Sequence, residues 1–186
     1  MAEQFEFELV FTLPEGEHDA FELSDAVFES GIEDALVGTG VAGLLGVEIE
    51  ADGDDAEAVI LDAARALMKQ LPTGTSLHEI RPDLVTLSDV AEKLSVKRQA
   101  LQQRKMPYPV AGGLFRIDEV YLVLENAMAP GEGRRTPRFD LPNARKWFKA
   151  GQAARKLNAK LTMHELNPIT IEFVQKNDRV GRLASA

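Results

Sequence analysis

The sequence predicts an α+β chain in two parts, a compact α+β unit followed by a mostly helical one. Three observations predict it. Residues 5–11, FEFELVF, alternate Phe5, Phe7, Leu9 and Phe11 with Glu6, Glu8 and Val10, the period of a half-buried strand. The segments up to Ile80 read as strand, helix, strand, strand, helix, strand. Charge then changes sign along the chain: residues 1–82 hold 19 Asp and Glu against 3 Lys and Arg, a net of −16, and residues 83–186 hold 11 against 18, a net of +7. The overall −9 therefore hides a basic half attached to an acidic one.

The elements follow in order. LPEGEH ends the first strand. A helix then places Ala20, Phe21, Val27 and Phe28 on one side and stops before Gly31. Short strands are expected at Ala35–Thr39 and Leu44–Glu50, joined by a GVAG hairpin in which Gly40 and Gly43 supply unusual backbone angles. Asp54 or Asp55 caps a second helix with Val59, Ile60, Ala63, Leu67 and Leu71 as its inner stripe. A last strand runs near Ser76–Ile80. The β-α-β-β-α-β order is that of a ferredoxin-like fold, an antiparallel sheet with both helices on one face. That fold hosts many functions and names none.

Arg81–Leu84 (RPDL) marks the boundary between an acidic domain, 1–82, and a helical domain, 83–129. In the latter, Thr86 caps a helix with Asp89 three residues on, a capping box. Val90, Ala91 and Leu94 form its inner face. Ser95 interrupts and is read as the cap of a second helix from Val96, with Val96, Ala100 and Leu101 inward. Two short helices on a tight turn have the spacing of a helix-turn-helix. Ala91 is the small residue where the helices touch, and Ser95 stands where the turn is often glycine. The second helix leaves Lys97, Arg98, Gln99, Gln102 and Gln103 outward. Arg and Lys bond guanine edges and Gln bonds adenine edges. A small hairpin at Gly112–Gly113 follows, then a helix opened by Asp118, with Ile117 and Leu122 as a hydrophobic staple. A helix-turn-helix followed by such a wing is a winged helix.

The stretch LVTLSDVAEKLSVKRQALQQRKMPYPVAGGLFRIDEVYLVL resembles the winged helix-turn-helix of the MerR and phage excisionase superfamily. The resemblance rests on Leu87–Leu101, the prolines Pro107 and Pro109, and the step Phe115–Asp118, and covers about a quarter of the chain. It implies a DNA-binding regulator or recombination-directionality factor. It places Lys97, Arg98, Gln99 and Gln102 in the major groove and Arg116 on a wing beside a phosphate or the minor groove. The effector-binding cysteines of MerR are absent, so metal sensing of that type is not implied.

Residues 130–186 read as a basic linker and C-terminal extension. Arg134, Arg135 and Arg138 lie in a Gly- and Pro-rich loop that can follow a phosphate backbone. With Ser95, Gln103, Arg104 and Lys105 they complete the expected DNA-facing set. Ala144–Leu157 is a basic helix with Trp147, Phe148 and Leu157 as apolar contacts. Its Arg145, Lys146, Lys149, Arg155, Lys156 and Lys160 fit two readings equally: a solvated face, or an element that contacts phosphates or builds a dimer. NPITIEFVQKND reads as a strand or a short helix.

Several classes are excluded or unsupported. There is no cysteine, hence no disulfide, thiolate chemistry or Cys-based zinc site. EIEADGDDAEAV lacks the spaced oxygens of a calcium loop. His18, His78 and His164 are isolated. GTGVAG and AGGLF match neither a dinucleotide nor a P-loop pattern. No nucleophile motif is present, so no enzyme and no cofactor are expected. No apolar run reaches the length of a membrane span, and the N-terminus lacks a signal peptide's regions. The expectation is a cytoplasmic homodimer on a two-fold symmetric double-stranded DNA site. The alternative is a structural or interaction module. A protein partner or a small-molecule effector is left open for the acidic domain.

Overall fold

The computed structural model describes residues 2–32, 34–129 and 139–175. The described residues form a mixed α+β structure with six helices, a four-stranded antiparallel sheet and a small two-stranded one. The first half holds β1 (Glu3–Thr12), α1 (Ala20–Glu29), β2 (Leu36–Gly38), β3 (Leu44–Gly53), α2 (Ala56–Met68) and β4 (Ser76–Arg81). The second holds β5 (Leu84–Val85), α3 (Leu87–Lys93), α4 (Arg98–Gln102), β6 (Phe115–Arg116), α5 (Ile117–Met128) and α6 (Leu141–Thr162).

The large sheet has the order β2-β3-β1-β4. Its central strand β1 buries Phe5, Phe7, Leu9 and Phe11, as the alternation predicts. They join Val47, Ile49, Leu77 and Ile80 from the neighbouring strands, and Ile60, Leu61, Ala64 and Leu67 from α2, in one core. The opposite face is acidic by register. Glu6 lies opposite Glu50, and Glu8 lies between Glu48 on one side and Arg81 on the other. Like charges across a strand pair repel, and cations from elsewhere in the chain gather on this face.

Asp19 caps α1 by accepting from the backbone N–H groups of Phe21 and Glu22, and Asp55 caps α2 through Ala58 N–H. Of the residues predicted to share one side of α1, only Val27 is buried; Leu23 joins it, and Ala20, Phe21 and Phe28 face out. Phe21 and Phe28 are 80% and 82% exposed. Both pairings satisfy helical spacing, and the four-residue step from Leu23 to Val27 is the one that meets the sheet. On α2 the buried stripe is Ile60, Leu61, Ala64 and Leu67, with Val59 and Ala63 only partly buried.

α6 is 22 residues long and serves two cores. Its first turns place Leu141, Ala144, Trp147 and Phe148 among the side chains of α3, α4 and α5. Its later turns place Ala150, Ala153, Ala154 and Leu157 against the sheet. The helix starts earlier than predicted because Asp140 caps it and Pro142 occupies its first turn, and it runs five residues past Leu157 to Thr162. Asn158 of α6 meets β4 at the edge of the sheet. Its Oδ1 accepts from Ile80 N–H at 2.9 Å and its Nδ2 donates to Ile80 O at 2.8 Å. The side-chain amide thus takes the place of a further strand and covers an exposed edge. Residues 167–175, the described part of the segment that reads as strand or short helix, form neither. They make a turn closed by a bridge between Leu166 and Phe173, with Pro168 O accepting from Leu77 N–H at 2.8 Å.

Candidate nucleic-acid interface

The helix pair is built from local signals. Thr86 Oγ1 accepts from Asp89 N–H at 3.2 Å and Asp89 Oδ2 accepts from Thr86 N–H at 2.8 Å, completing the capping box. Val90 and Ala91 of α3 and its C-cap residue Leu94 pack with Leu101 of α4. The turn departs from expectation. Ser95 does not cap the second helix. It takes φ +54°, the left-handed conformation usually left to glycine, and Val96 N–H then bonds back to Ala91 O at 2.9 Å. α4 begins at Arg98, with Lys97 in extended conformation before it and no side-chain cap. Ala100, expected inward, is exposed.

Lys97, Arg98, Gln99, Gln102, Gln103 and Lys105 are all exposed. None of these side chains makes an ion pair or hydrogen bond with another described residue. Ser95 lies exposed beside them in the turn. Arg104 does not share their freedom. Its guanidinium lies 5.1 Å from the ring centroid of Phe139 and its Nε is buried without a hydrogen-bond partner.

The hairpin turns at Gly112 and Gly113, with φ +47° and +85°. Val110 N–H donates to Leu114 O at 2.8 Å. At its base β6 pairs antiparallel with β5, Leu84 opposite Arg116 and Val85 opposite Phe115. Arg116 is therefore at the base of the hairpin, where it pairs with Glu119 at 3.2 Å. Asp118 does not cap α5. It accepts from Glu119 N–H and pairs with Arg155. Leu122 is 58% exposed and Ile117 fully buried, so the predicted staple does not form. Arg134, Arg135 and Arg138 lie outside the described residues.

The lysines of α6 and its Arg155 are engaged within the chain, whereas Arg145 is exposed and forms no ion pair with a described residue. Lys146 bonds Glu50 at 2.7 Å and lies 3.6 Å from Glu6, Lys149 bonds Glu3 at 2.5 Å, and Lys156 and Lys160 bond Glu57 at 3.0 and 3.2 Å. Lys93 of α3 also pairs with Glu6. Burial alone would lower the Lys146 ammonium, but Glu50 and Glu6 outweigh it and hold the pKa above its ordinary value. Each such pair contributes only about 0–1 kcal/mol to stability. Together they decide where positive charge remains free. The signal missed in the sequence was the positioning of these lysines on the helix that crosses the acidic sheet.

A cleft of about 720 Å³ separates the acidic sheet face from α3, lined among others by Glu6, Glu8, Glu79, Arg81, Lys93 and Trp147. Its carboxylates disfavour phosphate. Among the described residues no group of three or more His, Cys, Asp or Glu is placed to hold a metal ion, and no helix is long and apolar enough to cross a membrane. No protein-family model, curated protein or solved structure matches the chain.

Proposed function

We propose that the chain is a sequence-specific double-stranded DNA-binding regulator that reads the major groove with α4. One observation carries the reading. Besides Ala100, the exposed side of α4 and its flanks presents Lys97, Arg98, Gln99, Gln102, Gln103 and Lys105, all without internal partners among the described residues, while the lysines of α6 are paired with carboxylates. Unpartnered Arg, Lys and Gln on a short exposed helix are the side chains that bond guanine and adenine edges.

The surrounding architecture supports it. The order α3, turn, α4, hairpin, α5, with β5 and β6 paired, is compatible with a winged helix-turn-helix of the MerR and excisionase type. The sheet order β2-β3-β1-β4 with its connections is compatible with a ferredoxin-like first half. A five-residue reading helix spans few bases. The regulator therefore acts as a homodimer on a two-fold symmetric site.

The test has two stages. Duplexes selected from a random pool by the full chain should share a palindromic sequence. Arg98→Ala and Gln99→Ala should then each lose about 1–3 kcal/mol of discrimination against a mismatched site while binding to random duplex changes less. Failure to enrich any sequence, or equal losses on selected and random duplexes at one salt concentration, would refute base reading by α4.

A further inference from the structure

We propose that α1 docks a basic amphipathic helix of a partner protein through Phe21 and Phe28. This goes beyond the DNA reading and holds whether or not α4 touches DNA. The helix is apolar on two sides. Leu23 and Val27 fill the core. On the other side Phe21 and Phe28 are 80% and 82% exposed. The two rings are seven positions apart, so they stand in one line two turns from each other. A helix with one apolar face is complete when it packs on its own sheet; a second aromatic stripe has no use in water and marks an interaction surface.

The charge around the stripe selects the occupant. Asp25 lies between the phenylalanines, Glu22 and Glu29 flank them, and all three are exposed. No lysine or arginine occurs before Arg65. Unlike the carboxylates Glu3, Glu6, Glu50 and Glu57, which pair with lysines, Glu22, Asp25 and Glu29 pair with no cation among the described residues. A two-fold contact between copies through this face would set these carboxylates against their own images, which repels. A helix with apolar residues at heptad spacing and lysine or arginine on the flanks meets both features: its apolar stripe covers the rings and its cations meet the carboxylates.

The probe is a labelled peptide of about three heptads, leucine at a and d and lysine elsewhere. A scrambled peptide of the same composition controls for charge alone. The full chain should bind the heptad peptide roughly tenfold or more tightly than the scrambled one, and Phe21→Ser/Phe28→Ser should abolish that preference without altering net charge. Both rings are exposed, so the variant should keep the wild-type circular dichroism spectrum. Glu22→Lys/Asp25→Lys, which leaves the rings in place, should weaken the same complex by repulsion. Equal affinity of the wild type and the phenylalanine variant would overturn the proposal. So would self-association of the wild type that the phenylalanine variant abolishes, since the occupant would then be a second copy.

Discussion

Replacing Gly151 with alanine is expected to destabilise the protein, against the direction that helix propensity gives. Gly151 is buried within α6, where alanine would ordinarily gain about 1 kcal/mol. A Cβ at this position would stand 2.8 Å from the Pro82 carbonyl oxygen and 3.0 Å from Ile117 Cγ2, and would overlap Ile117 Cδ1. Pro82 O is backbone, in the short link between β4 and β5. Ile117 is fully buried at the start of α5. Neither yields without moving the elements behind it. Overpacking costs about 1–3 kcal/mol, and a clash with backbone belongs at the upper end. Subtracting the propensity gain leaves about 1–2 kcal/mol of destabilisation. For a chain of this length that lowers Tm by about 2–8 °C. Urea unfolding of wild type and Gly151→Ala measures it as a lower midpoint at unchanged slope. A midpoint equal to or above wild type would refute the reasoning, because α6 could then stand off from Pro82 and Ile117 without cost.

Two further outcomes follow from α6. Asn158→Leu keeps the volume but leaves Ile80 N–H and C=O without the partners described above; at about 1–3 kcal/mol per orphaned group it should cost about 2–6 kcal/mol in urea unfolding, and a loss under about 0.5 kcal/mol would mean that water replaces the amide. Glu57 gives a pH dependence. Burial raises its pKa, but hydrogen bonds and charge from Lys156 and Lys160 outweigh burial and hold it below its ordinary 4.5. A depressed carboxylate stabilises above the unfolded value, and that stability is lost as pH falls through the folded value. Glu57→Gln should therefore lower Tm at neutral pH, with the gap narrowing as pH falls below the ordinary 4.5; a gap that does not narrow on acidification would assign the effect to packing.

What was legible in the sequence was set by near neighbours. The alternation of β1, the Asp55 cap, the Thr86–Asp89 box and the Gly112–Gly113 turn each depend on residues within a few positions, so spacing alone finds them. What was not legible depends on distant surroundings. Phe21 and Phe28 satisfy helical periodicity as well as Leu23 and Val27 do, and only the sheet decides which stripe is inside. Ser95 has the chemistry of a cap, yet the close packing of α3 on α4 requires a left-handed residue there instead. Arg104 reads as one more exposed cation until Phe139, 35 positions later, closes over it. The run Ala150, Gly151, Ala153, Ala154 did carry a signal of close helix approach, and Gly151 is where α6 meets both halves.

The division into −16 and +7 invites a picture of two modules of opposite charge joined by a tether. The position of α6 argues for a different one. The helix that carries much of the positive charge lies across the acidic sheet, and its lysines are matched to Glu3, Glu6, Glu50 and Glu57. Much of the asymmetry is thus cancelled inside the molecule, where it guides the packing of one half on the other. Around α4, by contrast, Lys97, Arg98 and Lys105 stay exposed without an internal partner among the described residues, as do the carboxylates Glu22, Asp25 and Glu29 of α1. Screening over about 8 Å at physiological salt makes those local groups, rather than the net charge, decide what each surface attracts. A chain of net −9 is therefore compatible with a DNA-reading helix at α4, and the same screening leaves α1 free to attract a cation-rich partner on its own account.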